Sequence, residues 1–284
     1  MRNVIEIKGV TKDYGDFKLD NINMVVPKGG ICGFIGQNGA GKTTTIRLIL
    51  DIIKADSGEI RVWDSDMSVN GKELKESIGV VYDEMGFHEF MTPKQLDKMF
   101  RNIYKNWDSN EFREYLNRFS LPFNKKCGDF SRGMRMKLQI AVALSHKAKL
   151  LIMDEPTSGL DPIVRAEMLD IFQEFVTDEE HTILFSSHIT SDLERIADWI
   201  VFINRGKVFL SGNREELLEK HGIIKCSDEE KNKIDNQYIV GNRSFAYGVE
   251  VMVNDRKACM KEYPDLVMDR AGLEDILTFY VLGK

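Results

Sequence analysis

A glycine-rich stretch near the N-terminus constrains the fold more than any other part of the chain. Its sequence, Gly36-Gln37-Asn38-Gly39-Ala40-Gly41-Lys42-Thr43-Thr44, matches the pattern G-x-x-x-x-G-K-[ST]. The mostly apolar residues 31–35 before it predict a buried strand, and residues 45–50, which contain no Gly or Pro, predict a helix. A glycine-rich turn between a strand and a helix is the arrangement of a phosphate-binding loop, and residues 36–44 are called the P-loop below.

The chemistry of the P-loop follows from its residues. Glycines let the backbone curl until successive N–H groups point into one concavity, and the following helix adds its free N-terminal N–H groups. All residues of the P-loop are therefore expected to surround phosphate groups. Lys42 is expected to reach the β- and γ-phosphates, the Thr43 hydroxyl to ligate Mg²⁺, and the Thr44 hydroxyl to lie near the phosphates. A chance glycine-rich turn is the alternative.

An acidic motif follows an apolar run in the middle of the chain. Leu150-Leu151-Ile152-Met153 predicts a strand buried on both faces, and Asp154-Glu155-Pro156 comes next. Neighbouring strand residues point to opposite faces, so two carboxylates serve one site only if the strand ends there, which Pro156 favours. Asp154 is then expected to hold Mg²⁺ and Glu155 to deprotonate an attacking water. The alternative is an acidic pair that caps a turn.

Composition narrows the possible classes of protein. The chain has 284 residues and a formal net charge of −6, which argues against a nucleic-acid binder that relies on a basic face. Its four cysteines form no C-x-x-C pair, which favours a reducing compartment over a disulfide or metal framework. Residues 1–6 lack the apolar core of a signal peptide, and no segment has the length and apolarity of a membrane span. Any membrane-embedded part is therefore expected in another chain.

The segments around these motifs predict an α/β protein. Residues 4–8 and 19–26 alternate in polarity, as half-buried strands do. Tyr14 lies in the turn between them, where a lone tyrosine taken by itself more often packs than stacks on a base. Helices predicted from Pro93 onward and over residues 110–119 indicate an inserted helical subdomain. Leu96, Met99, Phe100 and Ile103 have helical spacing and form an apolar stripe that is expected to face the core.

The periodicity that predicts strands and helices becomes weaker after Gly222. Residues 223–284 are interpreted as a small α+β accessory region without chemistry of its own. Its predicted elements are short strands at 238–240, 245–247 and 249–253 and a terminal helix at 273–280.

Together these motifs resemble those of the ATP-binding cassette (ABC) ATPases. The resemblance covers residues 1–222. It rests on five motifs in the family's order: the P-loop, Ser131-Arg132-Gly133-Met134, Leu150 to Glu155, Ser158-Gly159-Leu160-Asp161 and His188. It implies a P-loop NTPase fold of the ABC ATPase type, with a mixed-sheet core, an antiparallel β subdomain and an inserted helical subdomain at about 86–146.

The resemblance also implies roles for single residues. Tyr14 is implied to stack on the adenine base, His188 to contact the γ-phosphate, and Asp161 to communicate across a dimer. The family pairs two cassettes head to tail, so that the signature segment (residues 130–134, with Ser131, Arg132 and Gly133) of one subunit caps the ATP on the P-loop of the other. Because the chain holds one set of motifs, it is implied to pair with a copy of itself or a relative.

Two positions depart from the family pattern. The usual L-S-G-G-Q is Phe130-Ser131-Arg132-Gly133-Met134, so Arg132 places a cation where glycine is usual. Arg132 is expected to pair with phosphate, to pair with a carboxylate or to point to solvent. The glutamine that usually follows the strand at 78–82 is replaced by Asp83, with Glu84 next. Because a carboxylate can ligate Mg²⁺, Asp83 or Glu84 is expected to join Thr43 and Asp154 as a metal ligand.

The resemblance implies an ATPase that uses ATP and Mg²⁺ to power a transporter. The degenerate signature and residues 272–280 are similar to the stand-alone ATPase subunits of bacterial exporters of peptides, antibiotics or small toxic compounds. Such a subunit lies at the cytoplasmic face of the membrane, bound to a separate integral-membrane subunit, and needs no nucleic acid. The alternatives are a soluble ABC ATPase that acts on ribosomes or DNA, and a phosphotransferase in which Glu155 activates a substrate hydroxyl. A single cassette without long coiled coils fits the first poorly, and the signature segment and His188 argue against the second.

Overall fold

Three β-sheets organise the part of the chain that the structure, a computed structural model, describes: residues 2–84, 86–245 and 248–283. The strands are β1 (Asn3–Asp13), β2 (Lys18–Pro27), β3 (Ile31–Ile35), β4 (Ser57–Val62), β5 (Ser65–Asp66), β6 (Ile78–Val81), β7 (Leu150–Asp154), β8 (Thr182–Ser187), β9 (Trp199–Asn204), β10 (Lys207–Asn213), β11 (Gly222–Cys226), β12 (Ile239–Phe245), β13 (Gly248–Val253) and β14 (Val267–Arg270). The helices are α1 (Lys42–Ile49), α2 (Met67–Leu74), α3 (Pro93–Phe100), α4 (Ser109–Arg118), α5 (Arg132–Leu144), α6 (Pro162–Phe175), α7 (Thr190–Ile196), α8 (Arg214–Lys220), α9 (Asp228–Lys231), α10 (Arg256–Glu262) and α11 (Leu273–Leu282). Among these helices, none combines the length and apolarity that crossing a bilayer requires.

The central sheet is mixed and has the strand order β10-β9-β3-β8-β7-β6. Five of its strands run parallel, and β10 is antiparallel to β9. Alternate side chains of β3 enter two different hydrophobic cores: Ile31 and Ile35 join one, and Cys32 and Phe34 join the other. A strand that is buried on both faces must be apolar along its whole length, which explains the continuous apolar runs of β3 and β7.

An antiparallel sheet of order β2-β1-β4-β5 covers one face of the central sheet. Its inward side chains, such as Ile5 and Leu19, lie in the same core as Phe34 of β3 and Ile46 of α1. The polarity of residues 4–8 and 19–26 alternates because one face of this sheet is buried and the other is not. The predicted antiparallel β subdomain is confirmed.

The chain between β6 and β7 is helical and contains α3, α4 and α5. Leu96 and Phe100 of α3 are buried together with Phe112 of α4, as the helical periodicity predicts. The prediction for Ile103 is wrong: α3 ends at Phe100, so the stripe does not continue, and Ile103 is 55% exposed.

The C-terminal region is built on an antiparallel sheet of order β12-β13-β11-β14. The sheet has a small core of its own, which contains Ile224 and Val251. Helix α11 packs elsewhere, because Leu273 and Ile276 belong to the large core that also holds Leu193 of α7. The C-terminal region is therefore attached to the rest of the chain by buried apolar side chains.

The sequence predicts this region only in part. The strand at 249–253 and the terminal helix are present as β13 and α11, whereas β12 replaces two shorter predicted strands. Tyr247, in one of those predicted strands, lies outside the described residues. Strands β11 and β14 and helix α10 do not appear in the prediction. The division of the chain at residue 222 stays a prediction.

Candidate nucleotide site

The ends of three parallel strands bring the predicted site residues together. Strand β8 lies between β3 and β7, so the P-loop after β3, His188 after β8 and the acidic pair at the end of β7 share one edge of the sheet. The Gly36 N–H donates a hydrogen bond to the Ser187 carbonyl at 3.4 Å, which joins the start of the P-loop to β8. The sheet order therefore places residues from distant parts of the sequence side by side.

Glycine is required at Gly36 and Gly41 for steric reasons. A Cβ atom at Gly36 would lie 2.5 Å from the Ile203 carbonyl oxygen of β9, and one at Gly41 would lie 2.6 Å from Leu19 Cδ2 of β2. Gly41 also has φ +114°, a value that other residues rarely adopt. The P-loop can therefore curl tightly between β2 and β9.

Lys42 is almost completely buried within the P-loop. Its Nζ donates a hydrogen bond to the Gly36 carbonyl at 2.7 Å and another to the Gln37 carbonyl at 3.3 Å. The same ammonium lies 3.1 Å from Glu155 Oε1. Because only 5% of the Lys42 side chain is exposed, its charge is balanced by protein groups rather than by water.

Both oxygens of the Asp154 carboxylate are held by hydroxyl groups. The Thr43 hydroxyl donates to Asp154 Oδ2 at 2.7 Å, and the Ser186 hydroxyl donates to Oδ1 at 2.5 Å. Sequence reasoning missed Ser186. Its role depends on the register of β7 and β8, which places Asp154 opposite Ser186, and no local sequence pattern predicts that register.

Glu155 turns into the same site because the backbone changes direction after Asp154. Strand β7 ends at Asp154, and Glu155 has φ +52°, in the left-handed region. Its Oε2 lies 2.8 Å from His188 Nδ1 and accepts the His188 N–H at 3.3 Å. Its Oε1 is buried, makes no hydrogen bond and has Lys42 as its charged neighbour. The expected strand break is thus present, and Asp154 and Glu155 face one site.

Arg132 pairs with a carboxylate, one of the three outcomes that the sequence left open. Its guanidinium contacts the carboxylate of Asp83, and both side chains are about half exposed, at 49% and 47%. The guanidinium also covers Gly159, where a Cβ atom would lie 2.8 Å from Arg132 Cζ. Asp83, the signature segment and residues 158–161 therefore meet at one guanidinium. The two departures from the family pattern contact each other.

Glu84 is exposed and lies in the same cleft as Asp83 and Arg132. The expected metal-binding role of Asp83 or Glu84 stays a prediction, and it would require Asp83 to exchange Arg132 for the metal.

The other predicted residues lie at exposed positions. Tyr14 is 52% exposed, with Lys12 Nζ 5.7 Å from the ring centroid, so the ring does not pack in a core. Ser131 caps α5 by accepting the Met134 N–H at 3.3 Å. Asp161 caps α6 through hydrogen bonds from Ile163 and Val164. Among the described residues, the polar contacts of the signature segment do not involve the P-loop of the same chain.

Comparison with known proteins identifies the family. The family model described as "ABC transporter" matches residues 19–158. The chain is 39% identical over 211 residues to the bacitracin transport ATP-binding protein of Bacillus licheniformis. The aligned region covers 73% of this chain and 69% of that protein. The chain belongs to the ABC transporter family.

Further matches agree with this assignment. The chain is 35% identical to the lantibiotic transport ATP-binding protein of Streptococcus pyogenes, over 75% of this chain and 95% of that protein. A solved structure of cbiO1 from Clostridium perfringens, part of the ABC transporter complex cbiONQ, superposes with a TM-score of 0.64 and 25% identity over 75% of this chain and 89% of that one. The ABC ATPase fold predicted from the motifs is therefore confirmed.

The ABC assignment also states what the chain does. It is an ATP-binding and ATP-hydrolysing subunit of an ABC transporter.

The pairing of Asp83 with Arg132 in this ABC subunit can be tested by a double-mutant cycle. We expect Asp83→Asn and Arg132→Gln each to lower the free energy of unfolding, with a coupling of about 0.5 kcal/mol between them, because exposed ion pairs contribute little. Urea unfolding of the parent, both single variants and the double variant measures this coupling. Asp83→Asn combined with Arg195→Gln, whose guanidinium pairs with Asp170, serves as the control and should be additive. Full additivity for Asp83 and Arg132 would contradict the pairing.

Proposed function

We propose that this ABC subunit hydrolyses Mg²⁺-ATP with Glu155 as general base, and that it drives export of an antimicrobial peptide or a small toxic compound through a separate membrane subunit. The observation that carries the catalytic part is the convergence of Lys42, Glu155 and His188 beside the Thr43–Asp154 pair. The transport part is supported by similarity to the bacitracin and lantibiotic transport proteins.

The P-loop supplies the groups that bind the triphosphate. Its N–H groups and the N-terminus of α1 attract the phosphates. Lys42 exchanges Glu155 and the loop carbonyls for the β- and γ-phosphates. The exposed ring of Tyr14 stacks on the adenine, as aromatic side chains stack on bases in nucleic-acid-binding proteins. Binding of ATP therefore removes the cation from Glu155 Oε1.

The donor set beside Lys42 fits Mg²⁺. The Thr43 hydroxyl and the Asp154 carboxylate are hard oxygen donors within 2.7 Å of each other, and Mg²⁺ prefers one or two carboxylates together with substrate phosphates. Thr43 and Asp154 would hold the ion, with Asp83 as a further proposed ligand. When bound, Mg²⁺ neutralises charge that develops on the phosphate oxygens.

Glu155 and His188 act on the attacking water. His188 fixes Oε2 of the carboxylate, so the other oxygen, Oε1, stays available to accept a proton from water. A carboxylate that contacts Nδ1 favours a proton on that nitrogen, and Nε2 of His188 is the atom left to face the γ-phosphate. Because phosphate oxygens only accept hydrogen bonds, Nε2 must also carry a proton in that contact. His188 therefore positions both the base and the terminal phosphate.

The site is completed by a second subunit, either a copy of this chain or a related ATPase. Ser131, Arg132 and Gly133 at the N-terminus of α5 cap the ATP of the partner, and Asp161 faces the partner's P-loop. A helix N-terminus with an added cation suits a phosphate ligand.

A cleft beside the signature segment offers a place for the membrane subunit. It encloses about 580 Å³ and is lined by residues between β6 and α3, including Phe87 and Glu89, and by residues of α5, including Arg135. Phe90, next to Glu89, is 70% exposed, and Ile103 is 55% exposed. We assign the exposed side chains of residues 86–105, at the edge of this cleft, to contact with a short segment of the membrane subunit. The ATPase then lies at the cytoplasmic face of the membrane.

Replacing Glu155 tests the catalytic role. We expect Glu155→Gln to lower kcat at least about 100-fold, because general-base catalysis contributes that much or more, and to retain ATP binding and a trapped dimer. Lys42→Ala should instead weaken ATP binding itself. Phosphate release, nucleotide titration and gel filtration measure these effects, with Glu229→Gln on the distant helix α9 as the control. Hydrolysis by Glu155→Gln at near the parent rate would remove Glu155 as the base.

Co-purification from the native membrane tests the transport role. We expect an integral-membrane protein to be recovered with the ATPase, and Glu89→Lys with Phe90→Asp to abolish this recovery and export while basal hydrolysis persists. Glu229→Lys, a charge reversal far from the cleft, is the matched control. Unchanged recovery and export in the double variant would show that the membrane subunit binds elsewhere.

A further inference from the structure

Helix α11 of the C-terminal region forms one wall of a cleft at the nucleotide site. The cleft encloses about 490 Å³. Its lining residues come from the tip of the P-loop, the segment around the start of α7, and α11, and include Asn38, His188, Ile189, Leu277 and Thr278. A region with no motif of its own therefore borders the surface that a second subunit covers.

Helix α11 is fixed in this position at both ends. At its start, the Leu273 N–H donates to Glu194 Oε2 of α7 at 3.0 Å. Near its end, the Tyr280 hydroxyl lies 3.1 Å from His221 Nε2, and the Tyr280 ring stacks on Phe209 with centroids 5.3 Å apart. Ile276 is fully buried between these anchors. The wall of the cleft is thus held by contacts with the ATPase core.

A projecting apolar side chain lies on a different surface of the same chain. Ile163 is 81% exposed, the highest exposure of any large hydrophobic side chain among the described residues. It is held on the first turn of α6, where Asp161 caps the helix and Pro162 occupies the first position. Its neighbour Val164 packs beside Gly133, at 3.4 Å from the position of a Cβ atom there. Ile163 therefore lies next to the signature segment.

These two features are complementary in a head-to-tail dimer. The signature segment of one subunit covers the P-loop of the other, so the start of α6 is carried toward the cleft beside the tip of that P-loop. Two-fold symmetry gives each subunit one projecting Ile163 and one cleft, so the contact occurs twice. The cleft offers Leu277 and Ile189 as apolar surface for such a side chain.

We propose that α11 is part of the docking surface for the second subunit, and that the partner subunit's Ile163 enters the cleft beside Leu277 when ATP closes the dimer. The inference rests on the head-to-tail dimer. It gives residues 223–284 a function at the nucleotide-dependent interface. The contact joins the capped first turn of α6 on one subunit to α11, which is anchored at both ends, on the other. It buries apolar surface that is buried only in the closed dimer.

Disulfide cross-linking between two single-cysteine variants tests the contact. The native thiols at Cys32, Cys127, Cys226 and Cys259 are all buried, and burial raises the pKa of Cys259 to about 11, so they form few disulfides under mild oxidation. One variant carries Ile163→Cys and the other Thr278→Cys, both with Glu155→Gln to retain ATP. We expect a disulfide-linked dimer in the mixture with Mg²⁺-ATP, at least tenfold more than without nucleotide.

The matched control places the second cysteine on the same helix. Leu282 of α11 is 66% exposed and does not line the cleft at the P-loop. It lies one turn beyond Thr278, in a second cleft that Thr278 also borders. Ile163→Cys mixed with Leu282→Cys should give no ATP-dependent disulfide. Gel filtration of the same mixtures reports whether the dimer itself forms. A dimer without the Ile163–Thr278 disulfide overturns the proposal and leaves the head-to-tail dimer intact, whereas absence of any ATP-dependent dimer contradicts both.

A substitution provides a second test. Because Ile163 is exposed, Ile163→Glu should fold normally. We expect it to weaken ATP-dependent dimerisation at least tenfold, with ATP affinity of the monomer unchanged. Val69→Glu, at a position that is 76% exposed on α2, should change dimerisation less than twofold. Equal dimerisation by Ile163→Glu and the parent would also overturn the proposal.

Discussion

Two neighbouring carboxylates reach one site in this ATPase because the backbone reverses its local geometry between them. Asp154 completes a buried strand, and Glu155 takes a left-handed conformation at φ +52°. In a continuing strand Glu155 would point to the opposite face of the sheet. The turn instead lets Asp154 meet Thr43 while Glu155 meets Lys42 and His188. The carboxylates proposed for metal binding and for proton abstraction are thus adjacent in the sequence, and each has its own partners.

The order of the strands makes this convergence possible. Strand β8 between β3 and β7 supplies Ser186 to Asp154 and positions His188 beside Glu155. Burial of β3 and β7 on both faces holds these strands in place, since their side chains pack into a hydrophobic core on either side of the sheet. The packing of apolar side chains along the strands consequently holds the charged groups at the strand ends in position. Such preorganisation is what electrostatic catalysis requires.

Local patterns in the sequence were sufficient for the P-loop, the acidic pair and most strands and helices. Each of these depends on residues that are close in the chain, such as the glycines around Lys42 or the apolar run before Asp154. The predictions failed where tertiary contacts decide the outcome. Ile103 continues a helical stripe in the sequence, but α3 has already ended. Ser186 matters only through strand pairing, and the choice of Asp83 as the partner of Arg132 depends on how the helical insertion folds back. The short strand β11 and helix α10 lack a period long enough to detect.

The most direct test of the central claim is a crystal structure of the chain with Mg²⁺ and a non-hydrolysable ATP analogue. We expect the triphosphate in the P-loop, Lys42 Nζ moved from Glu155 to the β- and γ-phosphates, and the metal bound by Thr43 and Asp154. Glu155 should stay beside His188, with Oε1 facing the γ-phosphate. A nucleotide bound outside the P-loop, or one that leaves the Lys42–Glu155 contact unchanged, would contradict the assignment of this site.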